Sequence, residues 1–444
     1  MTYVLLVILS IMLLVSYITS HKELCGPTVV FILPFWIMSI IGCLNYTNWE
    51  LNDFHFNTVL VISLGIVSFL LGSLFVQKIK LRGNKSNSYE IPDINSNITR
   101  FHLVLSLLIG IVSFLLHAYF LLRWGLSQGV FSLSEAINIS MIRGKFGTGR
   151  GFDLPYIVNS LCICSKAFGY IYSAILAKNI VYKRKGNNIL LALNIIVPIG
   201  ITVLGGSRGS SLEFIVAFSV AVLFYFFKSN GWKNRIRIKH VSYILIVSIF
   251  VLYVFFAIKT IMGRGEVDFT NIYDEFCIYI GAQEKNLDLY LNNNPVHTNI
   301  FACATMQEFY NIFNNYLGFN IYDTIEILPF NFINGKDLGN VYTCFYNYFV
   351  DFGYLGVVIF SSVSGGISQY VYRKAKYASD KAIDFSLIIY SYIASTLFFC
   401  FFGSRFFSNV FSAGFIRLVI WVYFDILFLT KVWIFKEENR SLKR

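Results

Sequence analysis

Arginine followed by glycine recurs through this chain, at Arg143, Arg150, Arg208 and Arg264, with Arg82-Gly83 as a fifth case. A guanidinium fork matches two phosphate oxygens at once, and a neighbouring glycine lets backbone approach the same ligand. The densest stretch is Gly205-Gly206-Ser207-Arg208-Gly209-Ser210-Ser211, set between the apolar runs Leu190–Leu204 and Leu212–Phe227. It reads as a tight turn at a membrane surface that opens a new helix. The first amides of a helix have no intrahelical partners and the helix dipole makes that end electropositive. Glycines, serines and Arg208 together therefore suit a bound anion, phosphate first. A turn with a snorkelling arginine is the plainer reading of the same residues. Gly403-Ser404-Arg405 echoes Gly206-Ser207-Arg208, and two such helix starts would make a divided anion site.

The acids that could serve a base-catalysed step are more numerous and less ordered. Glu135, Asp153, Glu266, Asp268, Asp274, Glu275, Glu308, Asp323, Glu326 and Asp351 all fall in the same two long connections, and spacing isolates no pair. Most read as solvated loop charges. Asp351 differs, because it stands where a long loop re-enters an apolar run, beside Gly353 and Gly356 and after an aromatic-rich segment. Such aromatics would stack on sugar rings, although an interfacial belt of tyrosine and phenylalanine accounts for most of them. His297 is a weaker candidate.

The elements that must hold these groups are membrane helices. Of 444 residues, 56% are hydrophobic and 14% charged, the balance of a polytopic helical membrane protein. The apolar runs are continuous over bilayer length, which argues against a barrel of alternating strands. Eleven spans are expected: Tyr3–Thr19, Pro27–Leu44, Asn57–Val76, Phe101–Leu122, Pro155–Ile180, Ile189–Leu204, Leu212–Phe227, Val241–Met262, Asp351–Tyr372, Ile383–Phe402 and Phe415–Thr430. The first lacks the basic flank and cleavage site of a signal peptide and is kept as a span. The fold class expected is thus an all-α polytopic membrane protein forming one integral membrane domain over residues 1–444.

Lysine and arginine orient it. One set of connections carries 24 of the 36 positive side chains, and the other, with much longer loops, carries nine. The positive-inside rule makes the first set cytoplasmic, which places the N-terminus outside and the C-terminus inside. The net charge of +12 thus reports orientation and not nucleic-acid binding. Lys166, Lys259 and Arg417 remain within or near spans and require partners or a wet cavity. Two substantial outer loops follow, residues 123–154 and 263–350. Within the second, Ile300–Leu317 has apolar residues at helical spacing, as for a helix lying in the interface, and Gly318 would end it. The eight cysteines and six histidines show no zinc spacing or disulfide framework, so no metal and no cofactor are expected.

Asn340-Val341-Tyr342-Thr343 followed by Tyr348-Phe349-Val350-Asp351-Phe352-Gly353, with Gly356 and the Gly-Ser-Arg-Gly turn of Gly206, Ser207, Arg208 and Gly209, resembles the oligosaccharide repeat unit polymerases, also called O-antigen polymerases. The resemblance implies a metal-independent glycosyltransferase of GT-C type in the bacterial inner membrane. It would transfer a growing glycan from undecaprenyl diphosphate to a sugar hydroxyl of an incoming lipid-linked repeat unit at the periplasmic face. Its partners would be that donor and acceptor and the membrane lipid, with room for a chain-length regulator. A diphosphate leaving group needs clamps for its developing charge. Arg208 stands first, then Arg264, Arg143, Arg150 and Arg405. The acceptor hydroxyl needs a base, for which Asp351 is the candidate, either as base or as the group that orients it. Two alternatives stand beside this reading: a flippase or other transporter of lipid-linked oligosaccharide, and a ligase that moves the finished glycan to another acceptor.

Overall fold

In a computed structural model the described residues are 1–47, 53–79, 98–146, 151–184, 186–232, 257–263, 272–293, 295, 297–318, 328–378 and 383–431. They form an all-α polytopic membrane protein. Lipid offers no partner to a backbone amide, so apolar runs of bilayer length satisfy their own hydrogen bonds as helices. In chain order these are α1 (Thr2–Thr19), α2 (Pro27–Leu44), α3 (Phe56–Lys78), α4 (Arg100–Ser127), α5 (Leu133–Phe146), α6 (Tyr156–Val181), α7 (Asn188–Leu204) and α8 (Arg208–Ser229). Then come α9 (Ile272–Asn292), α10 (Gln307–Leu317), a hairpin of β1 (Asn331–Ile333) and β2 (Lys336–Gly339), α11 (Cys344–Tyr377), α12 (Phe385–Phe398), a 3₁₀ turn (Phe399–Phe402), α13 (Arg405–Val410) and α14 (Ala413–Lys431).

Among the described residues nine helices are long and apolar enough to cross a membrane, each overlapping an expected span. The expected span Ile189–Leu204 is the shorter apolar helix α7. Most of the expected span Val241–Met262 lies outside the described residues. One expected boundary moves: the helix predicted to start at Asp351 begins at Cys344 and breaks at Phe352-Gly353, where Gly353 has φ +58° and ψ −141°. Only glycine adopts that backbone readily. Asp351 is therefore the last residue before a kink. The small antiparallel hairpin β1–β2 is an addition to an otherwise helical chain. Within the expected interfacial stretch Ile300–Leu317, helix is confined to Gln307–Leu317, with Gly318 in the left-handed conformation at its end, while the long loop also holds α9.

By packing, the chain falls into two compact units. Unit 1 comprises Met1–Arg82, Asp268–Arg373 and Ile393–Phe415. Its α2 and α3 pack on each other and on α9, and α9 also meets β2 and the 3₁₀ turn. An aromatic core joins these elements to α11: Phe31 stacks on Phe69 at 4.0 Å, and Phe35 lies 5.2 Å from Phe345. On α1 the side chains Val4, Val7, Ile11, Leu14 and Ile18 are exposed at helical spacing, a lipid-facing stripe.

Unit 2 comprises Gly83–Val267, Lys374–Tyr392 and Ile416–Arg444. α6 is its centre, against α4, α7 and α8. A polar chain crosses it: Ser106 Oγ lies 2.9 Å from Tyr172 Oη and donates to Asn194 Oδ1 at 3.0 Å, and Asn194 Nδ2 donates to the Leu103 carbonyl. Such bonds satisfy groups that lipid cannot.

Candidate functional site

The turn between α7 and α8 follows from its sequence. α7 ends at Leu204, Gly205 caps it, and Gly206 turns the chain at φ +73°. A side chain at Gly206 would also stand 3.1 Å from Met141 Cβ of α5. Ser207 is the N-cap of α8, its Oγ accepting from the Ser210 amide at 3.2 Å. Ser211 Oγ is 2.7 Å from Thr202 Oγ1, which ties the turn back to α7. Arg208 is then the first residue of α8, with Gly209 second, and it is only 8% exposed. A snorkelling arginine would carry its head into water, so the burial favours a held guanidinium over the plainer reading.

α5 gathers two further segments at this end of unit 2. Its Met141 and Ile137 border Gly206, and Ser134 O is 2.9 Å from where a side chain on Gly263 would begin. Asn138 Nδ2 donates to the Gly263 carbonyl at 3.3 Å. Beneath them Leu121, Val130, Ala136, Ile137, Val203, Leu204, Ile258 and Met262 form one apolar cluster. Arg143, on the same helix, bonds Gln128 Oε1 and lies 5.9 Å from the Trp124 ring centroid. The segments bearing Arg143, Arg208 and the approach to Arg264 thus converge. Arg150 and Arg264 themselves lie outside the described residues. Arg405 belongs to unit 1, at the start of the six-residue α13, with its guanidinium 6.0 Å from the Phe402 ring.

Five residues into α8, Glu213 is buried, within electrostatic reach of Lys166, Tyr170 and Tyr392. Lys166 in turn lies within reach of His117 on α4, a buried imidazole. Asp425 of α14 is buried beside Cys164, whose Sγ is 3.8 Å from Oδ1. Unit 2 therefore carries charge well inside its spans, where such residues are expensive unless they have a role.

In unit 1 the Asn340–Thr343 block is clamped to α9. Asn286 Nδ2 donates to the carbonyls of Val341 at 2.8 Å and Leu338 at 3.1 Å. Asn331 Nδ2 donates to Asn286 Oδ1 at 3.0 Å and to Tyr342 Oη at 2.9 Å, and Tyr342 Oη donates to the Pro329 carbonyl. Thr343 is fully buried as α11 begins. Asp351, 5% exposed, receives the amides of Ala304 at 2.9 Å and Thr305 at 2.8 Å, and the hydroxyl of Thr298 at 3.1 Å. Both its oxygens are engaged, which suits a group that holds the 298–305 segment rather than one free to take a proton. His297 Nδ1 lies 3.1 Å from the Phe349 carbonyl, which requires the proton on Nδ1.

The groups that sequence reasoning passed over are on α9. Gln283, Glu284, Lys285, Asn286 and Asp288 are all buried. Lys285 Nζ pairs with Asp288 Oδ2 at 2.8 Å, while Asp288 Oδ1 accepts from Thr58 Oγ1 at 2.7 Å and the His55 amide at 2.8 Å. Burial raises the Asp288 carboxyl, but Lys285, Thr58 and the His55 amide outweigh it and hold the group below its ordinary range. Burial pushes Glu284 well above the carboxylate range, tempered by Ser39. The signal for this helix was present as Lys285 and Asp288 three apart between apolar runs, but charges at that density removed the stretch from the expected spans. None of the eight cysteines is in a disulfide. No group of three or more metal-ligating side chains occurs among the described residues.

Compared with family models, curated proteins and solved structures, the chain matches none.

Proposed function

We propose that the protein is a glycosyltransferase of GT-C-like architecture in the bacterial inner membrane, which polymerises undecaprenyl diphosphate-linked oligosaccharide repeat units at the periplasmic face. The observation that carries this reading is the buried Arg208 at the start of α8, with α5 bringing Arg143 and the Gly263 segment to the same end of unit 2. With the orientation the positive charges favour, that end faces the periplasm. A diphosphate seated there would meet the positive end of the α8 dipole and guanidinium forks, which stabilise the charge that grows as the glycosyl bond breaks. Arg264 and Arg150 are the further clamps of this proposal. The sugar hydroxyl of the incoming unit attacks the anomeric carbon from the opposite face and releases its proton to a base. Asp351 serves as the positioning residue of the 298–305 loop, consistent with its three hydrogen bonds.

The test is Arg208→Ala against wild type in cells lacking the native gene, at equal membrane abundance, with the surface polysaccharide run on a gel. Wild type gives a ladder, and Arg208→Ala stops at a single repeat unit on the final acceptor. Transport of a lipid-linked oligosaccharide is the second reading, favoured by the buried Glu213 and Asp425 and the half-buried Lys166 in spans and by Pro34 and Pro198 inside α2 and α7. It requires that deleting the gene remove every surface repeat unit and trap single lipid-linked units inside. A ladder shifted only in its attachment to the acceptor would instead indicate a ligase.

A further inference from the structure

α9 places four polar side chains in succession, Gln283, Glu284, Lys285 and Asn286, in buried positions. At 3.6 residues per turn, four consecutive residues point to every side of a helix, so α9 is enclosed all round. Most of this polarity is paired. Lys285 meets Asp288, Asn286 holds the carbonyls of Leu338 and Val341, and Gln283 Nε2 donates to the Tyr279 carbonyl. Gln283 Oε1 has no partner, and Glu284 has none at either oxygen. Glu284 is 0% exposed. It faces α2, where Gly42 leaves it room: a methyl there would stand 3.5 Å from Oε2. Ser39 Oγ, on the same helix one turn earlier, is buried and also without a partner.

Among the described residues of the elements packed against α9, no counter-charge is paired with this carboxyl. Of the ionisable groups on elements packed against α9, the Cys43 thiol of α2 lies within electrostatic reach of Glu284 and offers no positive charge. His55, at the start of α3, faces Asp288. On β2, Asp337 accepts from the Gly339 amide, and Lys336 is the other charge. Cys400 lies in the 3₁₀ turn. Lys285 is committed to Asp288. An ionised carboxylate enclosed with no counter-charge and one hydroxyl beside it recovers little of the hydration it loses, and such a group takes up a proton instead. Among the buried carboxyls of unit 1, Asp288, Asp351 and Glu23 all accept hydrogen bonds, so Glu284 is the one that can exchange a proton without breaking a described bond.

We propose that Glu284, with Ser39 beside it, is a proton-binding site enclosed between α2 and α9: the resting protein holds Glu284 as the neutral acid, ready to give up its proton when water or a basic ligand atom reaches it. In that step only the O–H bond breaks, leaving a carboxylate and a protonated acceptor. The site stands whichever reading of the overall function holds, and its test does not use activity.

The test is infrared spectroscopy of the purified full chain in lipid nanodiscs, reading the carbonyl stretch of protonated carboxyls, wild type against Glu284→Gln. The expected wild-type minus variant difference at neutral pH is a protonated-carboxyl band that shifts in deuterated water and is unchanged by added sodium chloride. Asp425 contributes equally to both proteins and cancels. Absence of a difference band would overturn the proposal, because Glu284 would then be ionised. A band abolished by sodium would overturn it in favour of a small-cation site. Glutamine copies the shape of the neutral acid, so Glu284→Gln is expected to keep the wild-type elution profile and thermal midpoint at neutral pH. An unfolded variant would count against a neutral Glu284. Glu284→Asp, which retracts the carboxyl from Ser39, is expected to keep a band at a shifted frequency.

Discussion

Replacing Asp351 removes the acceptor for two backbone amides, those of Ala304 and Thr305, which sit in a buried stretch of the long loop. Alanine leaves both N–H groups without a partner. At about 1–3 kcal/mol for each unsatisfied buried amide, opening of the 298–305 segment becomes easier by about 2–6 kcal/mol. Asparagine retains one carbonyl oxygen, but its NH₂ cannot accept from the second amide, so Asp351→Asn is expected to lose about half as much, ~1–3 kcal/mol. Hydrogen exchange followed by mass spectrometry on a peptide covering residues 298–306 reads this directly. About 1.4 kcal/mol corresponds to a tenfold change in the opening equilibrium. Asp351→Asn should then speed exchange there by roughly 5–150-fold, and Asp351→Ala by more, with peptides from α6 unaffected. The reasoning is refuted if both variants keep wild-type exchange across 298–306 yet abolish polymer formation, because Asp351 would then act on substrate and not on the loop.

Gly353→Ala forces a side chain onto φ +58°, ψ −141°, at a cost of about 1–3 kcal/mol, and should lower the thermal midpoint in detergent while Gly366→Ala, a glycine without positive φ, lowers it less. Lys285→Met strands a fully buried Asp288 and should cost about 3–5 kcal/mol, whereas Lys285→Met with Asp288→Leu should recover much of it in a double-mutant cycle of denaturation midpoints. The two buried carboxyls of α9 have opposite pH signatures. Asp288, held below its ordinary range, contributes stability present above about pH 4 that is lost as pH falls through its folded value, so wild type should soften in acid and Asp288→Asn should not. Glu284, raised by burial, contributes stability that is full below about pH 4.3 and lost as pH rises through its folded value; Glu284→Gln should flatten that decline in a pH series of melting curves.

Much of the architecture was legible because a bilayer leaves a chain few choices. Apolar runs of bilayer length must become helices, so the expected spans and nine long helices coincide along the described chain. The Arg208 turn was legible for a local reason: Gly206 tolerates positive φ, Ser207 caps, and a helix has to start there. Gly318 at the end of α10 is the same kind of signal. The Asn340–Thr343 and Asp351–Gly353 blocks were visible as motifs, but not what they touch. That Asp351 faces Ala304 and Thr305, 47 and 46 residues earlier, is a fact of how the loop closes.

α9 marks the boundary most clearly. Its composition, with Glu284, Lys285 and Asp288 in one turn and a half, is what exposed loop helices look like, and by sequence it belonged to a solvated outer loop. Whether a charge is solvated or buried depends on what packs against it, and no local propensity reports that. The sequence by itself determined the helical class, the limits of most spans among the described residues and the cap at Arg208, because these follow from hydropathy and backbone chemistry over a few residues. Only the tertiary structure decided that α5 carries Arg143 to the Arg208 turn, that Asp351 is a clasp, and that Glu284 is enclosed without a partner. Those outcomes depend on contacts between segments far apart in the chain, where packing sets the dielectric surroundings of each charge.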